Sequence, residues 1–117
     1  MSEIEKYNFE LILEHLKVCE KRFLEIKKPN DFIESENGNT ILDPIVTRLQ
    51  AVGENLKRMN KNNPQILQKY PSVDWEKIIR FRDFISHHYE KLDYEIIYDI
   101  CKVDVPKLIV TISSITK

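Results

Sequence analysis

"ILDPIVTRLQAVGENLKRM", residues 41–59, is the stretch whose reading decides the fold. Ile41, Ile45, Leu49, Val52, Leu56 and Met59 recur at spacings of three and four, which puts them on one face of a helix. The pattern predicts a helix that starts near Thr40 or Asp43, with Pro44 tolerated in its first turn. "NKNNP", residues 60–64, ends it. Gly53 inside a helix costs roughly 1 kcal/mol relative to Ala. A close helix approach or a contact is therefore expected at that position.

Towards the N-terminus the same periodicity returns. Phe9, Ile12, Leu16, Cys19, Phe23 and Ile26 form a stripe on a helix expected from Glu3 to about Lys27. Ser2 serves as N-cap, and Glu3 and Glu5 sit where the helix dipole favours them. Residues 30–40 read as a linker, with Asn37-Gly38-Asn39 as a turn signal and Phe32 and Ile33 tucked back onto the bundle.

Towards the C-terminus, a short turn over Gln65–Tyr70 leads to a third helix. It opens at Ser72/Asp74, with Glu76 or Lys77 behind, and runs to about Leu92. Asp93 then caps a fourth helix carrying Tyr94, Ile97, Ile100 and Cys101. Asp104-Val105-Pro106 either bends that helix or opens a fifth. Asp104 as N-cap with Pro106 just inside favours the restart. "LIVTISSI", 108–115, is β-branched enough for a strand, yet no other segment reads as a strand partner, so helix is preferred. The expectation is an all-α, up-and-down bundle of four to five helices, with residues 1–117 as one domain.

Composition bounds the function. The 117 residues include 42% apolar and 32% charged residues, as in a globular protein, and only two glycines, which favours helix. The formal net charge of −1 gives no whole-surface attraction to nucleic acid, so any RNA contact must rest on a local patch. Cys19 and Cys101 match no metal spacing and read as reduced core thiols of a cytoplasmic protein. The charged start, MSEIEKYNFE, lacks the apolar segment of a signal peptide. No run approaches the roughly 20 apolar residues of a membrane span.

"RDFISHHY", residues 82–89, carries the chemistry. The third-helix stripe is Trp75, Ile78, Ile85 and Tyr89, and the position that should complete it holds Arg82. An arginine there is costly unless it is paired or opens into a cleft. At about 100° per residue, Ser86 and Tyr89 share its face, whereas His87 lies roughly 140° around. Either the helix ends or bends near His87, long side chains reach around, or a second copy of the chain contributes. Such a set suits phosphodiester cleavage. Arginine stabilises charge growing on the phosphorus oxygens, and a histidine near neutral pKa serves as general base or acid. That chemistry needs no metal or other cofactor. Adjacent His87 and His88 point apart, which argues against a metal site. The alternative is structural: an arginine paired with Asp83 or a nearby Glu, two surface histidines and a core tyrosine. Lys57, Arg58 and Lys61 complement a helix end, or else contact an RNA backbone.

Arg82, His87 and Tyr89 fit the pattern Arg-x4-His-x-Tyr, which resembles the signature of the HEPN superfamily, specifically its HepT-like branch. Residues 41–59, "YPSVDWEKIIRFRDFISHHY" and "LDYEIIYDICKVDVPKL" resemble the surrounding family segments in the same order, so the likeness spans about residues 3–110. It implies a dimeric helical bundle with Arg and His of both protomers at a shared cleft. It also implies a metal-independent endoribonuclease toxin, neutralised by a small nucleotidyltransferase antitoxin. Arg82 then binds the scissile phosphate and His87 is the acid–base group, with Asp83, Ser86 and His88 in support. Tyr89 corresponds to a tyrosine the antitoxin modifies with AMP. The family often has Asn after the motif Arg. Here Asp83 can orient Arg82, but its charge opposes phosphate. A rival from another class is a non-catalytic helical module that binds or regulates a nucleotidyltransferase.

Overall fold

A computed structural model gives the fold, and it describes residues 1–34, 36–88 and 93–117, apart from the side chains of 86–88. Among these residues every regular element is a helix. The elements are α1 (Glu3–Phe23), a 3-10 turn (Pro29–Phe32), α2 (Glu36–Asn62), α3 (Pro64–Gln68), α4 (Trp75–His88), α5 (Tyr94–Asp99), a π turn (Ile100–Asp104) and α6 (Val105–Ile115).

α1 begins as expected. Ser2 Oγ accepts from the Glu5 backbone N–H at 3.1 Å, and the Glu5 carboxylate accepts from the Ser2 N–H at 2.9 Å. This reciprocal box satisfies two donors that a helix start leaves open. α1 stops at Phe23, a turn before the expected Lys27. The Asp31 carboxylate explains the early stop, because it accepts from the backbone N–H groups of Lys27 and Lys28 at 2.8 and 3.1 Å and folds the chain into the 3-10 turn.

The linker reading needs a larger correction. α2 starts at Glu36, so Asn37-Gly38-Asn39 is helical and Pro44 lies inside the helix. A Cβ on Gly38 would come within 1.8 Å of the Asp31 carbonyl oxygen and 2.9 Å of its carbon. Glycine is there so that the first turn of α2 can pass against the 3-10 turn. Gln65–Tyr70, expected as a turn, overlaps the short helix α3 as far as Gln68.

α1 and α2 run antiparallel. Glu5 meets Asn63 near one end and Cys19 meets the Ile45 carbonyl towards the other. α2 and α4 also oppose each other: Asn60 lies with Glu76 and Ile79 in one surface cleft, and Gly53 lies against Arg82. α6 packs along α1, and α5 before it meets the end of α1, where the Phe23 and Tyr98 rings are 5.2 Å apart. All six stripe residues of α2 are buried, as are Phe9, Ile12, Leu16, Cys19 and Ile26, while Phe23 is half-buried. They make one core with Trp75, Ile78, Phe81, Ile85, Ile97 and Leu108. The all-α up-and-down bundle is the observed architecture.

Asp93 caps α5, its Oδ1 accepting from Glu95 N–H at 2.8 Å. The expected restart at Asp104 does not occur. The backbone of Asp104 is helical and its side chain caps nothing, because Lys77 of α4 takes the carboxylate at 2.9 and 3.2 Å. The chain continues from α5 into α6 through the π turn, where Val105 N–H donates to the Ile100 carbonyl. Pro106 lacks an N–H, and the wider turn is where the ladder absorbs that loss.

Candidate functional site

α4 carries the candidate residues, and its start is set by Asp74, whose Oδ1 accepts from Lys77 N–H at 3.0 Å. Its buried stripe runs Trp75, Ile78, Phe81, Ile85. Phe81, not position 82, completes the core face, so Arg82 stands at the edge of the stripe. This resolves the arginine problem, since the residue is not a core residue at all.

Arg82 lies on the seam between α2 and α4. A Cβ on Gly53 would come within 2.3 Å of the Arg82 Cβ, 2.9 Å of its Cγ and 3.2 Å of the Ile78 carbonyl oxygen. The expected close approach at Gly53 is therefore real, and the stem of Arg82 is what fills it. At its tip, Arg82 Nη1 donates to Asp83 Oδ1 at 3.0 Å, and Nη2 stands 3.9 Å from Glu54 Oε2. The side chain keeps 26% of its surface exposed.

Lys57 joins the same group. Its Nζ donates to Asp83 Oδ1 at 3.1 Å, the oxygen that Arg82 also uses. The Lys57 and Arg82 donors hold the Asp83 carboxyl below the usual carboxylate range, so it is ionised at neutral pH. Four charges thus alternate along the seam: Lys57, Asp83, Arg82 and Glu54. Lys57 was one of three candidates for a helix-end role, and its partner is instead a residue of α4. Arg58 pairs locally with Asn55.

α4 remains helical through His88. An end or bend near His87, one of the expected alternatives, falls at the limit of the described residues. The backbone puts positions 82 and 87 about 140° and about 7.5 Å of axial rise apart. Of the sequence candidates, Arg82 and Asp83 are brought together. The side chains of Ser86, His87 and His88, and the whole of Tyr89, lie outside the described residues. Among the described residues no group of three or more His, Cys, Asp or Glu is placed to hold a metal ion. Sequence reasoning missed Glu54 as a partner of Arg82. The signal was available, because Glu54 adjoins the glycine that marks the close approach.

Away from the seam, His15 Nδ1 lies 3.1 Å from Arg48 Nη1. Partial burial and the Arg48 charge lower its pKa. Cys19 and Cys101 are free and buried, as expected of core thiols, and burial pushes the Cys19 thiol up to about 12. No helix of the described residues is long and apolar enough to cross a membrane.

Residues 12–115 match the model of the family described as "Ribonuclease HepT-like", and the chain belongs to that family. It is similar to "Putative RNase MJ1380" of Methanocaldococcus jannaschii, with 29% identity over 73% of this chain and 75% of the relative. It is 37% identical to "Putative RNase MJ0127" of the same organism, over 62% of this chain and 58% of that protein. "Putative RNase TTE0752" of Caldanaerobacter subterraneus is 30% identical over 58% of this chain and 62% of the relative. No solved structure matches at a significant level.

Proposed function

We propose that the chain is a metal-independent endoribonuclease, and that Arg82 and His87 carry the reaction. The observation behind this reading is the placement of Arg82. Its stem lies against Gly53, Asp83 and Glu54 flank its tip at 3.0 and 3.9 Å, and the side chain stays about a quarter exposed. Family membership and the names of the relatives supply the substrate class, RNA.

In this reading the ribose 2′-oxygen attacks the adjacent phosphorus and the bond from phosphorus to the 5′-oxygen breaks. His87 accepts the 2′-hydroxyl proton or delivers one to the leaving 5′-oxygen. Arg82 lays its planar fork on the non-bridging oxygens as their charge grows. The products are a 2′,3′-cyclic phosphate and a 5′-hydroxyl. Asp83 aims Arg82. Ser86 and His88 are supporting residues, the latter as a second proton carrier. A homodimer supplies the convergence that one helix face denies to positions 82 and 87.

Residues 1–117 act as one domain of a cytoplasmic toxin, held in check by a cognate nucleotidyltransferase antitoxin. AMP placed on Tyr89 adds bulk and negative charge beside the cleft, which repels RNA.

The test is cleavage of total RNA and tRNA by the purified chain in EDTA, with His87→Ala beside it. Cleavage by the parent alone, leaving cyclic or 3′-phosphate ends, is expected. Inactivity of a chain shown by mass spectrometry to have an unmodified Tyr89 would refute the enzyme and favour the non-catalytic partner of a nucleotidyltransferase. Growth arrest on expression, lost in Arg82→Ala and His87→Ala, tests the toxin role.

A further inference from the structure

Lys57 has no role in the reading above, yet it shares an acceptor with the central arginine. Asp83 Oδ1 receives both Lys57 Nζ at 3.1 Å and Arg82 Nη1 at 3.0 Å. The two cationic groups are therefore no further apart than those two bonds laid end to end. What sits between them is a small planar anion. Both cations meet one of its oxygens, and a non-bridging oxygen of a phosphodiester is an anionic acceptor of the same kind.

We infer that Lys57 and Arg82 form a two-point clamp for one RNA phosphate, and that the Asp83 carboxylate fills this clamp in the free protein. The inference rests on the ribonuclease reading for its ligand class.

Three features support it. Lys57 lies one turn beyond Gly53 on α2, and helical side chains lean towards the helix N-terminus. Its ammonium is thereby carried back over the Gly53–Arg82 contact. Second, the other guanidinium nitrogen, Nη2, lies 3.9 Å from Glu54 Oε2, so an opposite charge remains beside Arg82 when Asp83 is displaced. Third, Lys57 and Asp83 keep 53% and 38% of their side-chain surfaces exposed. Exposed pairs of this kind contribute little to stability, and an incoming phosphate can exchange with one at small cost.

The experiment is fluorescence anisotropy of a labelled single-stranded RNA oligomer bound to the full chain, in a His87→Ala background that prevents cleavage, over a series of salt concentrations. Lys57→Ala is expected to weaken binding about tenfold, the scale of one charge-assisted hydrogen bond. It should also lower the salt slope by about 0.7, the signature of one lost phosphate contact on a single strand. Asp83→Asn is expected to bind about threefold tighter, since the competing anion is gone. Lys57→Ala together with Arg82→Ala should lose much less than the two single losses multiplied, because both act on one phosphate. Thermal melts control for folding.

An unchanged affinity in Lys57→Ala overturns the clamp, as does an Asp83→Asn chain that binds no tighter than its parent. If the parent binds RNA with this Lys57 dependence but the wild-type chain cleaves nothing, the ribonuclease reading falls and the clamp stands. Cleavage that is indifferent to Lys57 does the reverse.

Discussion

Gly53→Ala sets two physical effects against each other, and the structure decides the sign. In an ordinary helix interior the change is stabilising by about 1 kcal/mol, because glycine is the poorer helix former. At this position the new methyl meets the Arg82 Cβ at 2.3 Å, its Cγ at 2.9 Å and the Ile78 carbonyl oxygen at 3.2 Å. The first contact is to an atom fixed by the α4 backbone, so no rotamer change relieves it. The second is to the stem that aims the guanidinium. α2 and α4 must move apart, and overpacking of this kind costs typically 1–3 kcal/mol, occasionally more. With the worst contact on a Cβ, we take about 3 kcal/mol, which leaves a net loss of about 2 kcal/mol after the helix gain. Urea unfolding followed by the fluorescence of Trp75, which is buried on α4, measures it directly. For a slope of about 1.5 kcal/mol/M the midpoint should fall by roughly 1.3 M. RNA cleavage should fall further than stability, since the displaced helix carries Arg82. Arg82→Ala should not rescue the variant, because it keeps the offending Cβ. A Gly53→Ala chain that gains about 1 kcal/mol and keeps its activity would refute the close seam, and with it the placement of Arg82.

Other consequences are simpler to measure. Ser2→Ala removes the oxygen that accepts from Glu5 N–H, and should cost about 1 kcal/mol in a thermal or urea melt. His15 has a folded pKa below its ordinary value of 6.5, so as pH falls through 6.5 the unfolded chain takes up a proton that the folded chain resists. Its contribution is complete above that pH and is lost in acid; His15→Gln should therefore flatten the stability profile between about pH 7 and 5. Cys19 and Cys101 are buried with thiols shifted upward, so neither should react with a thiol-specific disulfide reagent at pH 8 in the folded chain, and both should react in urea.

The bundle was legible because helix periodicity survives local accidents. The α2 stripe from Ile41 to Met59 is buried throughout, and Ser2, Asp74 and Asp93 cap where short polar side chains precede apolar runs. The errors share a cause. Gly38 and Asp104 have two uses each, one local and one tertiary, and the local use was the visible one. Position 38 is a glycine because the Asp31 backbone leaves no room for a Cβ, and Asp104 does not cap because Lys77 holds it. Arg82 was misplaced by a single position for a related reason. Stripes at spacings of three and four admit either 81 or 82 between 78 and 85, and only packing against α2 selects Phe81 for the core.

The sequence by itself determined the helical class, the location of the core faces and the presence of an arginine too conspicuous to ignore. Periodicity and capping are short-range, and each can be read within a few turns of chain. Asp83 adjoins that arginine in the sequence, but the other charges around it were placed by tertiary structure alone. Glu54 and Lys57 lie 28 and 25 positions before Arg82, and only the antiparallel packing of α2 on α4, allowed by the missing side chain at Gly53, brings their charges to one point.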